Sequence, residues 1–110
     1  MDNRISIYYK NTKTLAILVE GMTNLSVYTP YLTVKRKATD ASAVLYKSGL
    51  LSDPSATSNT FTFSLTTSDT SLNPADYVYD VTIIGDPSQG NTNVITLVRD
   101  RFTIMENVFA

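Results

Sequence analysis

The 110 residues of this chain include no cysteine, histidine or tryptophan. This composition excludes disulfides, the usual imidazole or thiolate metal sites, and nucleophiles that depend on histidine or cysteine. Nine basic and ten acidic residues give a net charge of −1, so we expect no binding to nucleic acid or to an anionic membrane. The length predicts a single domain, residues 1–110.

Alternating apolar and polar residues predict strands throughout the first half of the chain. The predicted strands cover residues 4–9, 14–19, 31–36 and 43–47. The second of these is apolar on both faces, which predicts cover on both sides. Residues 25–30 are predicted to form an extended connector, because a residue that precedes proline favours extended backbone. No signal peptide or membrane-spanning run precedes or interrupts these strands, so we expect a protein that is not exported by a cleaved leader.

The second half continues the same pattern after a long connection, residues 50–59. Residues 60–65 and 77–84 are predicted strands, and the first of them has the cleanest alternation in the chain. Residues 94–98 and 101–108 are predicted as two final strands around a tight Arg99–Asp100 turn. Helix is not expected beyond a turn near residues 73–76. The pattern predicts an all-β fold, an immunoglobulin-like antiparallel β-sandwich of about seven to nine strands.

A Leu-x-Pro-x-x-Tyr run supports this fold class. Leu72, Pro74 and Tyr77 are spaced as in a tyrosine corner, where a buried tyrosine hydroxyl bonds the backbone a few residues upstream. Pro74 restricts the backbone as the chain leaves the preceding turn, and Leu72 supplies an apolar side chain to the end of the core. These three residues are therefore predicted to be structural.

Catalytic and metal-binding arrangements are poorly supported. Lys47 and Ser48 are adjacent in a predicted strand, so their side chains point to opposite faces and cannot form a dyad. The aspartates are scattered instead of forming a dense calcium loop, and several stand where aspartate commonly stabilises a turn. We expect no enzyme, no cofactor and no metal.

Several residues are candidates for contact with a partner. Tyr8 and Tyr31 fall opposite the apolar face of their strands, and exposed tyrosine is enriched at interfaces. The full set of candidates is Tyr8, Tyr28, Tyr31, Arg99, Arg101 and Phe109. For the tyrosines the alternative is a half-buried position at a sheet edge. For the arginines the alternative is a hairpin tip whose charges serve only to keep it solvated. Phe109 is expected to pack on this domain or on a neighbour.

Three segments resemble a known group of proteins. They are Leu-Thr-Val-Lys-Arg at residues 32–36, Thr-Ser-Leu-Asn-Pro-Ala-Asp-Tyr-Val-Tyr-Asp-Val at 70–81, and Thr-Leu-Val-Arg-Asp-Arg-Phe-Thr-Ile at 96–104. Their succession is similar to immunoglobulin-like structural proteins of tailed bacteriophages, which include amino-terminal modules of baseplate upper proteins and head or tail accessory proteins. The chain departs from that pattern at Ala75 and Asp76, where a turn glycine is expected, and at Asp100, where a hairpin glycine is expected.

The resemblance implies a non-enzymatic virion structural protein, made in the host cytoplasm, that acts through protein–protein contacts. A head protein that decorates the capsid is the first expectation, and a baseplate, neck or tail adaptor is the alternative. The implied partners are the major capsid protein or a tail or baseplate protein, together with further copies of the chain. Two other hypotheses remain open: a glycan-binding module that uses exposed tyrosines, and a structural module of a larger bacterial surface protein.

Overall fold

The computed structural model describes residues 3–21, 25–51 and 59–108. Within these residues there is no α-helix, only two 3-10 turns at Leu25–Val27 and Pro87–Gln89. The strands are β1 Ile5–Tyr8, β2 Lys13–Leu18, β3 Tyr28–Lys35, β4 Leu45–Ser48, β5 Leu50–Leu51, β6 Thr60–Leu65, β7 Ala75–Gly85 and β8 Val94–Met105. The prediction of an all-β fold is confirmed.

The strands form two sheets. The five-stranded sheet has the order β1-β8-β7-β3-β4, and the three-stranded sheet has the order β2-β6-β5. β1 runs parallel to β8, with Ile5 opposite Phe102, so the prediction of a wholly antiparallel fold is wrong and the larger sheet is mixed. No tight hairpin joins these two strands, since almost the whole chain separates them, and parallel pairing is therefore available to them.

The inner faces of the two sheets contribute buried side chains to two hydrophobic clusters, each of which contains residues of both sheets. In β7 the alternate residues Tyr77, Tyr79, Val81 and Ile83 are buried. β6 contributes Phe61 and Phe63, both 0% exposed, while its threonines point outward. This burial follows the period-2 alternation of the sequence, because successive strand side chains point to opposite faces.

The predicted Arg99–Asp100 turn is wrong. β8 is one continuous strand, and Arg99 and Asp100 lie opposite Asp80 and Tyr79 of β7. β7 is long enough to pair with β8 from Val94 to Ile104, so the charged residues are accommodated within the ladder and need no turn. The irregularity in this strand pair is a register shift next to Val81, not a hairpin.

Other boundaries also differ from the prediction. The connector 25–30 is a 3-10 turn followed by the start of β3, and the predicted connection 50–59 begins with the short strand β5. β4 begins at Leu45, not at residue 43, and β8 ends at Met105. Pro30 is accommodated inside β3 because the neighbouring β4 ends beside it, so no ladder bond requires a donor there.

Gly49 carries the chain from the five-stranded sheet to the three-stranded sheet. Its N–H donates to the carbonyl oxygen of Pro30 at 3.0 Å, next to the last β3–β4 pair. A Cβ at this position would lie 2.5 Å from the backbone oxygen of Thr62 and 2.7 Å from the Phe63 ring. The strand can therefore change sheets only with glycine here.

Candidate functional site

A stacked pair of tyrosines lies on the outer face of the five-stranded sheet. Tyr31 of β3 points outward because Leu32 and Val34, its neighbours in alternation, are buried. Thr33 lies opposite Tyr46 of β4, which makes Tyr31 a diagonal neighbour of Tyr46. The two ring centroids are 5.3 Å apart, with 13° between the planes. Tyr31 is half-buried, and Tyr46 is 60% exposed.

A shallow depression of about 120 Å³ lies on the same sheet. Its lining includes Thr33, Lys35, Asp80 and Arg99, and so presents hydroxyl, ammonium, carboxylate and guanidinium groups together. Lys35 Nζ donates to the carbonyl oxygen of Asp40 at 2.9 Å. These groups suit polar contacts with a partner protein or with a hydroxyl-rich ligand.

The three tyrosines singled out from the sequence do not form one site. Tyr8 lies opposite Met105, and Tyr31 is level with Thr82 and Thr96. At about 3.3 Å per residue, Thr96 and Met105 are roughly 30 Å apart along β8. Tyr31 and Tyr8, which lie beside these two residues, are separated by a similar distance. Tyr8 is nevertheless 51% exposed, so it belongs to a different part of the surface.

Tyr28 is half-buried at the start of β3. Its hydroxyl accepts a hydrogen bond from Asn93 Nδ2 at 3.2 Å, which links β3 to the segment before β8. This contact ties two neighbouring segments of the chain together. Tyr28 is therefore separate from the Tyr31–Tyr46 pair as well as from Tyr8.

Arg99 and Arg101 lie in the middle of β8, not at a hairpin tip. Both are exposed, and Arg101 lies opposite Val78 of β7. Arg99 lines the depression beside Asp80, so it shares the outer face with the tyrosine pair. Phe109, the last candidate, lies outside the described residues.

The sequence pattern did not indicate Tyr46 or Leu50 as contact residues. Tyr46 is 60% and Leu50 75% exposed, and they lie on either side of the sheet crossing at Gly49. The alternation of residues 45–47 could have identified Tyr46, since it has the opposite parity to Leu45. Its stacking on Tyr31 could not have been found in this way, because it depends on the β3–β4 register.

The Leu72–Tyr77 segment has the hydrogen bond that defines a tyrosine corner. The Tyr77 hydroxyl donates to the carbonyl oxygen of Asn73 at 2.6 Å, and the tyrosine is 4% exposed. Leu72 packs against the core, and Pro74 is exposed. The segment thus fixes the start of β7.

Tyr79, the next inward residue of β7, anchors the first described residues of the chain. Its hydroxyl donates to the carbonyl oxygen of Asn3 at 2.5 Å, and Asp100 Oδ2 accepts from the N–H of Asn3 at 3.0 Å. Burial raises the pKa of Tyr79 to about 12, and the negative charge of Asp100 adds to this shift. These contacts hold Asn3 beside the core.

Lys47, considered above for a dyad, forms an ion pair with Asp69. Asp69 also accepts a hydrogen bond from the N–H of Thr66 at 2.8 Å. Desolvation by itself would raise the pKa of Asp69, but the hydrogen bonds from Lys47 and Thr66 outweigh it and hold this pKa below its ordinary value. The pair joins β4 to the turn that follows β6.

In the part of the chain that the structure describes, no group of three or more acidic residues converges as a metal site would require. No helix in those residues is long and apolar enough to cross a membrane. The chain matches no known protein family, and no curated protein is similar to it in sequence.

Proposed function

We propose that this protein is a non-enzymatic structural component of a tailed-bacteriophage virion, and that it acts through protein–protein contacts. Its main support is one observation: each of the edge strands exposes a large apolar side chain. These side chains are Tyr8 of β1, Leu18 of β2, Tyr46 of β4 and Leu50 of β5, which are 51%, 59%, 60% and 75% exposed. Apolar groups beside unpaired strand edges are typical of surfaces that meet another chain.

The fold proposed with this function is an immunoglobulin-like sandwich of the variable type. The order β2-β6-β5 corresponds to strands B, E and D, and β8-β7-β3-β4 corresponds to G, F, C and C′. The hydrogen bond from Tyr77 to Asn73 lies at the start of β7, the strand that corresponds to F. Tyr79 then occupies the place of the second cysteine of an antibody domain, two residues after the corner tyrosine.

Decoration of the capsid is the role we propose first, with a baseplate, neck or tail adaptor as the alternative. On a symmetric capsid, many copies can bind through contacts that are individually weak, since multivalency raises the overall affinity. The exposed side chain of Tyr46 lies on the outer face of the five-stranded sheet, and that of Leu50, opposite Thr62, lies on the outer face of the three-stranded sheet; they provide two such contacts, one on each side of the sheet crossing. The polar depression next to Arg99 adds charged groups of both signs for orientation.

Cosedimentation tests this proposal. The purified protein is mixed with undecorated capsids, and separately with tails, of the phage that encodes it. Saturable binding to capsids at a fixed ratio to the major capsid protein supports decoration, and binding to tails alone supports the adaptor role. Binding to neither overturns the virion proposal.

A matched pair of variants tests which surface is used. The double variant Tyr46→Ser and Leu50→Ser removes the exposed apolar groups beside Gly49, and is expected to weaken binding about tenfold or more. Ser64→Ala, on the exposed outer face of β6, is the control and should bind as the wild type does. Equal binding by the double variant would show that another edge makes the contact.

A glycan-binding role is the second candidate, and the Tyr31–Tyr46 pair is the observation that favours it. A stacked pair offers a sugar the free face of one ring, next to the polar groups of the depression. The test is tyrosine fluorescence during titration with a panel of hexose and N-acetylhexosamine oligosaccharides. A saturable change that disappears in Tyr46→Ala and persists in Tyr8→Ala supports this role, and no change with any sugar rejects it.

A further inference from the structure

One row of side chains crosses the outer face of the five-stranded sheet from Tyr46 to Arg99. Tyr46 lies opposite Thr33 of β3, and Thr33 lies opposite Asp80 of β7. Asp80 in turn lies opposite Arg99 of β8. Directly opposed residues place their side chains on the same face of a sheet. Because neighbouring strands are about 4.8 Å apart, the row is roughly 14 Å long, and a ligand laid along it can contact an aromatic ring at one end and a guanidinium group at the other.

The cations at the polar end of this row have hydrogen-bond donors available to a ligand. Arg99 is exposed, and the described residues give its guanidinium group no ion pair and no hydrogen bond. Lys35 lines the same depression. Its ammonium group has three N–H donors, of which one is used by the carbonyl oxygen of Asp40. The depression of about 120 Å³ is therefore lined by two cations that can each bind an additional acceptor.

The carboxylate in the lining of the depression, Asp80, limits which ligands fit. Its Oδ1 accepts a hydrogen bond from the Thr82 hydroxyl at 3.2 Å, while the described residues donate none to Oδ2. A carboxylate can only accept hydrogen bonds, so Asp80 favours a ligand that has hydroxyl groups to donate. Lys35 and Arg99 give two positive charges against the one negative charge of Asp80. The net positive charge favours a ligand that is also anionic.

The aromatic end of the row provides a surface for stacking. Tyr46 is 60% exposed, and its ring stacks on that of Tyr31 with 5.3 Å between the centroids. Because this neighbour already restrains the ring, a ligand that packs on it loses less side-chain entropy than it would on a mobile ring. The C–H groups of a sugar can pack on an aromatic face while its hydroxyl groups reach polar neighbours. Acidic side chains of a peptide could pair with the cations, but they have no hydroxyl group for Asp80.

We propose that this row, together with Lys35, binds an anionic saccharide. A sugar ring packs on Tyr46, the anionic group of the ligand lies between Lys35 and Arg99, and Asp80 accepts a hydrogen bond from a hydroxyl group. Arginine binds a carboxylate or a phosphate through two parallel hydrogen bonds, so hexuronic acids and sugar phosphates share the required chemistry. This specificity rests on the glycan-binding role and not on the capsid or tail role. It narrows the ligands of that role to negatively charged saccharides.

The test is isothermal titration calorimetry with saccharides that differ in charge. Trigalacturonic acid is compared with its methyl ester, which keeps the sugar rings and their hydroxyl groups and removes the charges. At about 0.15 M salt, where distant charges are screened, the acid should bind about tenfold more tightly than the ester, as expected for one hydrogen-bonded charge pair. Phosphorylated maltotriose and maltotriose provide the same comparison for phosphate. The pair with the larger preference identifies the anion.

Two arginines of β8 provide matched variants. Arg99→Gln removes the guanidinium group from the depression and should bring the affinity for the acid close to that for the ester. Arg101 is exposed on the same face of the same strand, opposite Val78, and lies outside the lining of the depression. Arg101→Gln therefore makes the same change of charge nearby and should keep the preference for the acid. Tyr46→Ala should weaken the binding of acid and ester alike, because both stack on its ring.

The outcomes separate anionic specificity from glycan binding in general. Equal affinity for the acid and the ester overturns the specificity but leaves the glycan-binding role in place, whereas no binding of any of these saccharides overturns both. Equal loss of the preference in Arg99→Gln and Arg101→Gln also overturns the proposal, since it would mean that only the overall positive charge matters. Triglutamate amide, which has the same number of carboxylates as trigalacturonic acid, should bind more weakly. Equal affinity for this peptide would identify an acidic peptide as the ligand and overturn the proposal.

Discussion

Replacing Tyr77 with phenylalanine tests whether the tyrosine corner stabilises the start of β7. The substitution removes the hydroxyl that donates to the carbonyl oxygen of Asn73 at 2.6 Å and keeps the ring, which is almost fully buried. Asn73 is exposed, so water can reach its carbonyl group in the variant. The expected cost is therefore that of one neutral hydrogen bond, about 1 kcal/mol of unfolding free energy.

Urea unfolding followed by far-ultraviolet circular dichroism measures this loss. The midpoint should fall while the m-value stays unchanged, because the surface exposed on unfolding is the same. For a domain of this size the loss corresponds to a fall in Tm of roughly 4–8 °C. Tyr8→Phe, on an exposed tyrosine of β1, is the control and should change stability by less than about 0.5 kcal/mol. A Tyr77→Phe variant as stable as wild type would refute the structural role of the corner.

Three further predictions concern stability. Gly49→Ala should lower the unfolding free energy by about 2 kcal/mol or more in urea titrations, because its Cβ would lie 2.5 Å from the backbone oxygen of Thr62; unchanged stability would show that the crossing has room. The raised pKa of Tyr79, about 12 against an ordinary value of 10.0, contributes stability that is complete below pH 10 and is lost as the pH rises through 12. Tyr79→Phe should remove that part of the alkaline fall and the last step of the tyrosinate absorbance titration, and an unaltered titration would contradict the assignment. For Asp69 the pKa is lowered from 3.8, so its contribution is present above that pH and is lost as the pH falls through the lower folded value. Asp69→Asn should accordingly be less stable than wild type at pH 7 and equal to it in strong acid, whereas a deficit that persists in acid would mean that the ion pair with Lys47 is not its cause.

Local alternation was enough to predict much of the strand content and its buried face. The clean alternation predicted for residues 60–65 puts Phe61 and Phe63 on one side of the strand, and both are fully buried. The inward set of β7 follows the same rule. This success has a simple cause: which face a residue occupies depends on the parity of its position within the strand, and parity can be read from a few neighbouring residues.

The candidate contact residues were predicted less well. Tyr8 and Tyr31 do point outward, but they lie far apart, and the aromatic neighbour of Tyr31 is Tyr46, which the sequence did not suggest. Arg99 was placed at a turn that does not exist. A residue's own strand indicates its face, whereas its neighbours on that face come from other strands and from their register.

The sequence by itself thus determined that the chain is all-β, which residues are buried in several strands, and that Tyr77 is a buried residue of a late strand, although that strand begins at Ala75 and not at Tyr77. Only the tertiary structure decided that β1 runs parallel to β8, that Arg99 and Asp100 belong to one unbroken strand, and that Gly49 carries the chain between sheets. The physical reason is the range of the interactions. Alternation and turn chemistry act between neighbours in sequence, while strand partners and sheet crossings are selected by contacts between residues far apart in the chain.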